Sequence, residues 1–125
     1  WVTHEVWWGA DKALFTIWPK NEEMLGKPHG IAWVALGDRS LHILDQKKYW
    51  HVGGDAAGEW AVGDTFDGQL FLVDARTGEA RLLTQGHRPK GATVHPHPSF
   101  SPDGSSVLFC SERNGNWDVC LVPMR

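Results

Sequence analysis

The chain has 125 residues and a formal net charge of −3, which bounds it to one domain with a modest core. Without a basic stripe a nucleic-acid partner is not expected, and the longest apolar run, "IAWVAL" at 31–36, is too short to cross a bilayer. No charged n-region followed by an apolar h-region opens the chain, so the expectation is no membrane partner and a cytoplasmic location.

Eight Trp, fourteen Gly and seven His stand in a sequence with little that favours helix. Short apolar runs bounded by Gly and Asp predict strands throughout. In chain order, "ALFTIW" (13–18), "GIAWVAL" (30–36) and "SLHIL" (40–44) follow an extended start at His4. "WAVGDT" (60–65), "QLFLVDA" (69–75) and "ARLLT" (80–84) follow one at His51. "SVLFCS" (106–111) and "WDVCLVP" (117–123) follow one at His97. The three starts lie 47 and 46 residues apart, and four short strands in such a period are the mark of a propeller blade. Asp67-Gly68 and Asp103-Gly104 supply the hairpin turns, where glycine takes a positive φ at little cost. The fold expected is all-β, a partial β-propeller of about two and three-quarter four-stranded antiparallel blades. The blades run from about 4–46, 49–86 and, incomplete, 95–125. The stretch 19–29 in blade one is either an insertion over the ring mouth or a surface excursion. A closed ring needs at least four blades. The open edges therefore call for further blades, from a longer chain of which this is a C-terminal piece, or for self-association. Cys110 and Cys120 sit on one predicted hairpin; with a turn centred near Asn114 and Gly115 they face each other, as buried thiols or as a strained cross-strand disulfide.

"HPHPSFSPDG" (95–104) places two histidines each before a proline. Proline biases the preceding residue toward extended geometry, so His95 and His97 are expected extended and pointing to one side. His4, His51 and His97 occupy equivalent places in three units, on the strand that lines the channel of a propeller. Imidazoles from neighbouring blades then converge near one channel mouth, with His95 added from the strand of His97. Such a cluster suits a divalent transition ion, whereas repeat-consensus histidines bonded to channel-wall backbone are the plainer alternative. His29, His42 and His87 show no such registration.

The segments "THEVWW" (3–8), "YWHVGGDAAGEWAVGDT" (49–65) and "HPHPSFSPDGSSVLFCSERNGNWDVCLV" (95–122) resemble the oligogalacturonate lyases, seven-bladed propellers that cleave pectin fragments. The "SPDG" portion alone is shared with TolB-like propellers. The resemblance implies a divalent metal, typically Mn2+, on three histidines and a glutamine; the histidines correspond to His51, His95 and His97. A further histidine near the substrate corresponds to His4, with a catalytic role in acid–base or orienting work. It also implies an oligogalacturonide substrate and β-elimination. Two departures stand out. Ala92 occupies the place of the glutamine, and the arginine used upstream of the His-Glu pair is not in this sequence, so metal binding without catalysis is an expectation for the chain alone. Trp7, Trp8, Trp33, Trp50 and Trp60 are read as packing between blades or as a sugar platform. The competing reading is a non-catalytic TolB-like propeller that serves as a scaffold for protein or sugar binding.

Overall fold

A computed structural model describes residues 1–19, 26–88 and 93–124. Eleven strands, and no α-helix among the described residues, form three antiparallel sheets. The first sheet holds β1 (Val2–Trp8), β2 (Lys12–Ile17), β3 (Gly30–Ala35) and β4 (His42–Asp45) in sequential order. The second holds β5 (Tyr49–Gly54), β6 (Trp60–Thr65), β7 (Leu70–Asp74) and β8 (Ala80–Thr84). The third holds β9 (Ser99–Phe100), β10 (Ser106–Ser111) and β11 (Asp118–Pro123). This is an all-β partial propeller of about two and three-quarter blades. Gly68 and Gly104 take φ of 79° and 69°, as the two Asp-Gly turns require.

Two apolar seams hold the blades face to face. Trp8, Leu14 and Ile31 of blade one meet Tyr49, Val52, Ala61 and Val73 of blade two. On the other face of blade two, Val62, Leu70 and Leu72 meet Val107 and Phe109. The period of two along β6 explains the division, since Ala61 and Val62 must face opposite ways. Each such side chain taken from water contributes roughly 1.5–3 kcal/mol before the entropy of ordering it is set against it. Glycine makes the first seam close. A Cβ on Gly54 would lie 2.4 Å from Trp8 Cδ1, and one on Gly63 would lie 2.5 Å from Tyr49 Cδ1 and 2.9 Å from Ile31 Cδ1. Trp8, only 1 % exposed, crosses the seam and donates Nε1–H to Trp60 O at 2.9 Å and Asp55 Oδ1 at 3.2 Å. Trp8 is thus a packing residue.

The cysteine pairing differs from expectation. β10 and β11 pair Phe109 with Cys120 and Cys110 with Val119. The register is one residue from that which would set the cysteines opposite one another, and a slip of one reverses the face. Cys120 therefore joins the seam beneath Phe109 and Val107, while Cys110 shares the outer face with Leu108, Val119 and Leu121. Both thiols are free.

A candidate metal centre at the inner strands

β5 packs against β1 and β2 on one side and against β9 on the other, so the three innermost strands run side by side. His4 lies in β1, His51 in β5, and His97 two residues before β9. The β1–β2 ladder shifts register between Thr3 and Val6, and the β5–β6 ladder between Tyr49 and Val52. Both histidines thus occupy irregular positions, where a strand departs from the plain alternation of side chains. Thr16 fixes the two positions relative to each other. Its buried hydroxyl is shared between Thr3 O at 3.2 Å and Trp50 O at 3.1 Å, the carbonyls immediately ahead of His4 and His51.

The backbone at the site is strained. Among the described residues, His4 (φ 58°) and His97 (φ 48°) are the non-glycine residues with positive φ. For His97 this corrects the extended geometry expected ahead of Pro98. The physical reason is a hydrogen bond: the turn points the His97 N–H at Asp64 Oδ2, 3.2 Å away. A non-glycine residue held in the left-handed region costs about 1–3 kcal/mol, and such residues cluster at functional sites.

Three imidazoles meet here. The ring centroids of His4 and His51 are 4.3 Å apart, those of His51 and His97 4.2 Å, and those of His4 and His97 6.2 Å. One ligand-capable ring nitrogen from each lies within 4.8 Å of the others. His51 is buried, His4 half-buried and His97 exposed, so the cluster has a closed floor and an open mouth. Burial, then the neighbouring His51 and His97, holds the His4 ring below the ordinary imidazole value. His95 is placed apart from the three. Its ring lies 5.7 Å from that of His51 and is pressed on Trp50 at 3.5 Å. Burial, then the Arg88 guanidinium, lowers its pKa, and its Nδ1 is buried with no hydrogen-bond partner.

Asp64 organises the floor. Fully buried on β6, it accepts the His51 backbone N–H at 2.7 Å and lies 3.0 Å from His51 Nδ1 through both carboxylate oxygens. With the His97 N–H it gathers three N–H groups from two blades. A carboxylate on Nδ1 sets the tautomer in which Nε2 carries the lone pair, the form that ligates a metal. Sequence reasoning missed Asp64. The available signal was a charge within "WAVGDT", a strand otherwise built of apolar and small residues.

The remaining candidates sit elsewhere. His42 is stacked on Trp33 at 4.0 Å and lies 3.2 Å from Asp38, on the outer strand of blade one. His87 is buried between Thr84 and Ser111 hydroxyls. Trp50 carries Phe66 in stacked contact at 4.5 Å, His95 at 3.5 Å and Arg88 5.3 Å over its ring, so it is enclosed by its own chain. Ala92 lies outside the described residues.

No family model matches the chain. It is 25 % identical, over an alignment of 135 positions, to an oligogalacturonide lyase of Pectobacterium atrosepticum, a match covering 90 % of this chain and 34 % of that protein. The chain is thus similar in sequence to an oligogalacturonide lyase. It spans about a third of the length of the relatives it matches. An oligogalacturonate lyase solved in complex with manganese superposes with a TM-score of 0.79 at 22 % identity, over 99 % of this chain and 35 % of that one. TolB from Acinetobacter baumannii superposes with a TM-score of 0.69 at 14 % identity, over 98 % of this chain and 30 % of that one. Both share the blade architecture.

The donor set of the centre fits a divalent transition ion. Imidazole nitrogens ligate the first-row ions, His51 has its second nitrogen on a carboxylate as metal-bound histidines usually do, and the buried His95 Nδ1 has no hydrogen-bond partner among the described residues.

Proposed function

We propose that this chain carries the metal centre of a lyase that cleaves oligogalacturonides by β-elimination, with His51, His95 and His97 holding a divalent ion, Mn2+ by resemblance, and His4 as the acid–base or orienting residue. The observation that carries the reading is the meeting of His4, His51 and His97 from three successive blades within 4.8 Å, which brings together two of the proposed ligands, while the third, His95, rests on the resemblance and on its partnerless Nδ1. A repeat-consensus role on the channel wall does not require imidazoles of different blades to touch.

In the reaction, the proton at C5 of a uronate leaves, its bonding pair becomes the C4=C5 double bond, and the C4–O4 bond breaks. O4 departs with the bonding electrons and takes up a proton. The C5 proton is weakly acidic because its loss places charge beside a carboxylate that is already negative. A bound divalent ion supplies Lewis-acid neutralisation of that carboxylate. Asp64 holds the His51 ring and the His97 backbone in place through its three N–H contacts. His4, whose ring touches His51 at the mouth of the cluster, accepts a proton at a ring nitrogen in this reading.

Single alanine replacements test the roles. His51→Ala, His97→Ala and His95→Ala are expected to lower Mn2+ uptake at least tenfold, measured by calorimetry, while His4→Ala retains it. With the remaining blades present, each is expected to abolish release of the ultraviolet-absorbing unsaturated product. If His4→Ala loses the ion and His95→Ala keeps it, His4 is the third ligand. If neither wild type nor any variant takes up a metal, the TolB-like scaffold is the better reading.

A further inference from the structure

Among the described residues, three buried side-chain nitrogens lack a hydrogen-bond partner: Trp18 Nε1, Arg88 Nε and His95 Nδ1. All three side chains surround Trp50. Trp18 lies 5.9 Å from its ring, His95 3.5 Å, and the Arg88 guanidinium carbon 5.3 Å above it. Trp50 in turn lies parallel to His51, 5.6 Å away. Two of the three, Trp18 Nε1 and Arg88 Nε, can only donate, so this corner of the channel wall holds unmet donors beside the histidine cluster.

Arg88 is the centre of that excess. A guanidinium has five N–H bonds to give and cannot lose its charge. Here one bond is placed, Nη1 to Phe66 O at 2.6 Å, and no carboxylate pairs with the group among the described residues. The nearby acids are committed. Asp64 is taken up by His51 and His97, and Glu112 accepts Thr93 N, Val94 N and Trp117 Nε1 at 2.8–2.9 Å. A half-buried cation stacked on an aromatic ring, anchored at one nitrogen and with no carboxylate in ion-pair contact among the described residues, is suited to receive an anion from outside.

We propose that Arg88, seated on Trp50, binds a second carboxylate of the substrate, on the uronate next to the one at the histidine cluster. The inference rests on the lyase reading for the identity of the substrate, and it assigns a side chain to the neighbouring uronate's carboxylate. A planar guanidinium matches a carboxylate bidentately, and Trp50 fixes its plane without consuming the remaining N–H groups.

The test uses protein stripped of metal by chelator, so that elimination is off and the contribution of Arg88 is read directly. Digalacturonate and neutral galactobiose are titrated while amide spectra are recorded. Wild type is expected to bind digalacturonate in preference to galactobiose, with an affinity that falls as salt rises. Arg88→Gln is expected to lower that affinity about tenfold. Arg88→Lys, which keeps the charge and loses the fork, falls between the two. Equal binding of digalacturonate by wild type and Arg88→Gln, or no preference over galactobiose in wild type, overturns the proposal. A wild-type protein that takes up no Mn2+ yet shows Arg88-dependent binding of digalacturonate sinks the lyase reading and leaves the carboxylate site standing.

Discussion

Asp64→Asn is the sharpest perturbation of the centre, because it keeps the shape of the side chain and changes what it can accept. In the wild type one carboxylate oxygen takes the His51 backbone N–H at 2.7 Å, both face His51 Nδ1 at 3.0 Å, and the other takes the His97 N–H at 3.2 Å. An amide has one accepting oxygen. If it stays with His51, the amide nitrogen points a donor at the His97 N–H, and that half-buried group loses its partner at a cost of about 1–3 kcal/mol. Relief of the buried carboxylate's own desolvation offsets part of this, so the expected net loss of stability is about 1–2 kcal/mol. The effect on metal binding is larger in proportion. Without a carboxylate on Nδ1 the His51 ring is free to turn and to change tautomer, and outer partners of this kind are worth about 10–100-fold in affinity, or roughly 1.4–2.7 kcal/mol. Urea unfolding gives the first quantity and Mn2+ calorimetry the second, while 15N shifts of the His51 ring report its tautomer. An asparagine variant that binds Mn2+ within about twofold of wild type, with the His51 tautomer unchanged, would refute the role given to Asp64.

The first apolar seam offers a second test. Gly63→Ala would place a methyl 2.5 Å from Tyr49 Cδ1 and 2.9 Å from Ile31 Cδ1, both fully buried, and is expected to cost about 1–3 kcal/mol in urea unfolding. A third concerns pH. Burial, then the Arg113 charge, pushes His87 from 6.5 down to about 4, so between these values the unfolded chain binds a proton that the folded chain does not. The stability due to neutral His87 is present above pH 6.5 and is lost as pH falls toward 4. At full value that drop corresponds to ~3 kcal/mol, and solvent screening near the loop reduces it to roughly 1–2 kcal/mol. His87→Gln, which keeps hydrogen bonding without titrating, is expected to flatten the pH dependence of the urea midpoint over this window. An unchanged slope would remove His87 from the account.

The blade pattern was legible because each strand carries its own local signal, apolar alternation closed by Gly or Asp, and because histidine recurs at nearly one period. What sequence did not disclose depends on register and on backbone hand. Cys110 and Cys120 were a single residue from facing each other, and only the pairing of Phe109 with Cys120 decides the face. The extended state expected at His97 lost to the Asp64 contact, since a local proline bias is small beside a buried carboxylate that accepts three N–H groups. Asp64 itself was silent because nothing local distinguishes an inward acid on a strand from a turn-flanking one. Its partners lie 13 and 33 residues away.

The strain at His4 and His97 bears on how the centre and the blades depend on one another. Each left-handed histidine is disfavoured by about 1–3 kcal/mol on its own, so neither backbone position is explained by local preference. At His97 the opposing force comes from blade two, through Asp64; at His4 a contact across the junction of blades one and two comes from Thr16, which touches the carbonyls preceding both His4 and His51. The centre is therefore assembled by the packing of inner strands against each other, and an ion shared by His51 and His97 would act back on that packing. Binding to the folded arrangement alone stabilises it by about 2.7 kcal/mol at a hundredfold excess over Kd. That increment should appear in wild-type unfolding on adding Mn2+ and be smaller by about 1.3 kcal/mol or more in His97→Ala. A stabilisation of equal size in both would mean that the ion binds elsewhere, and that the junction of the blades is held by its apolar seams and Thr16 without help from a metal.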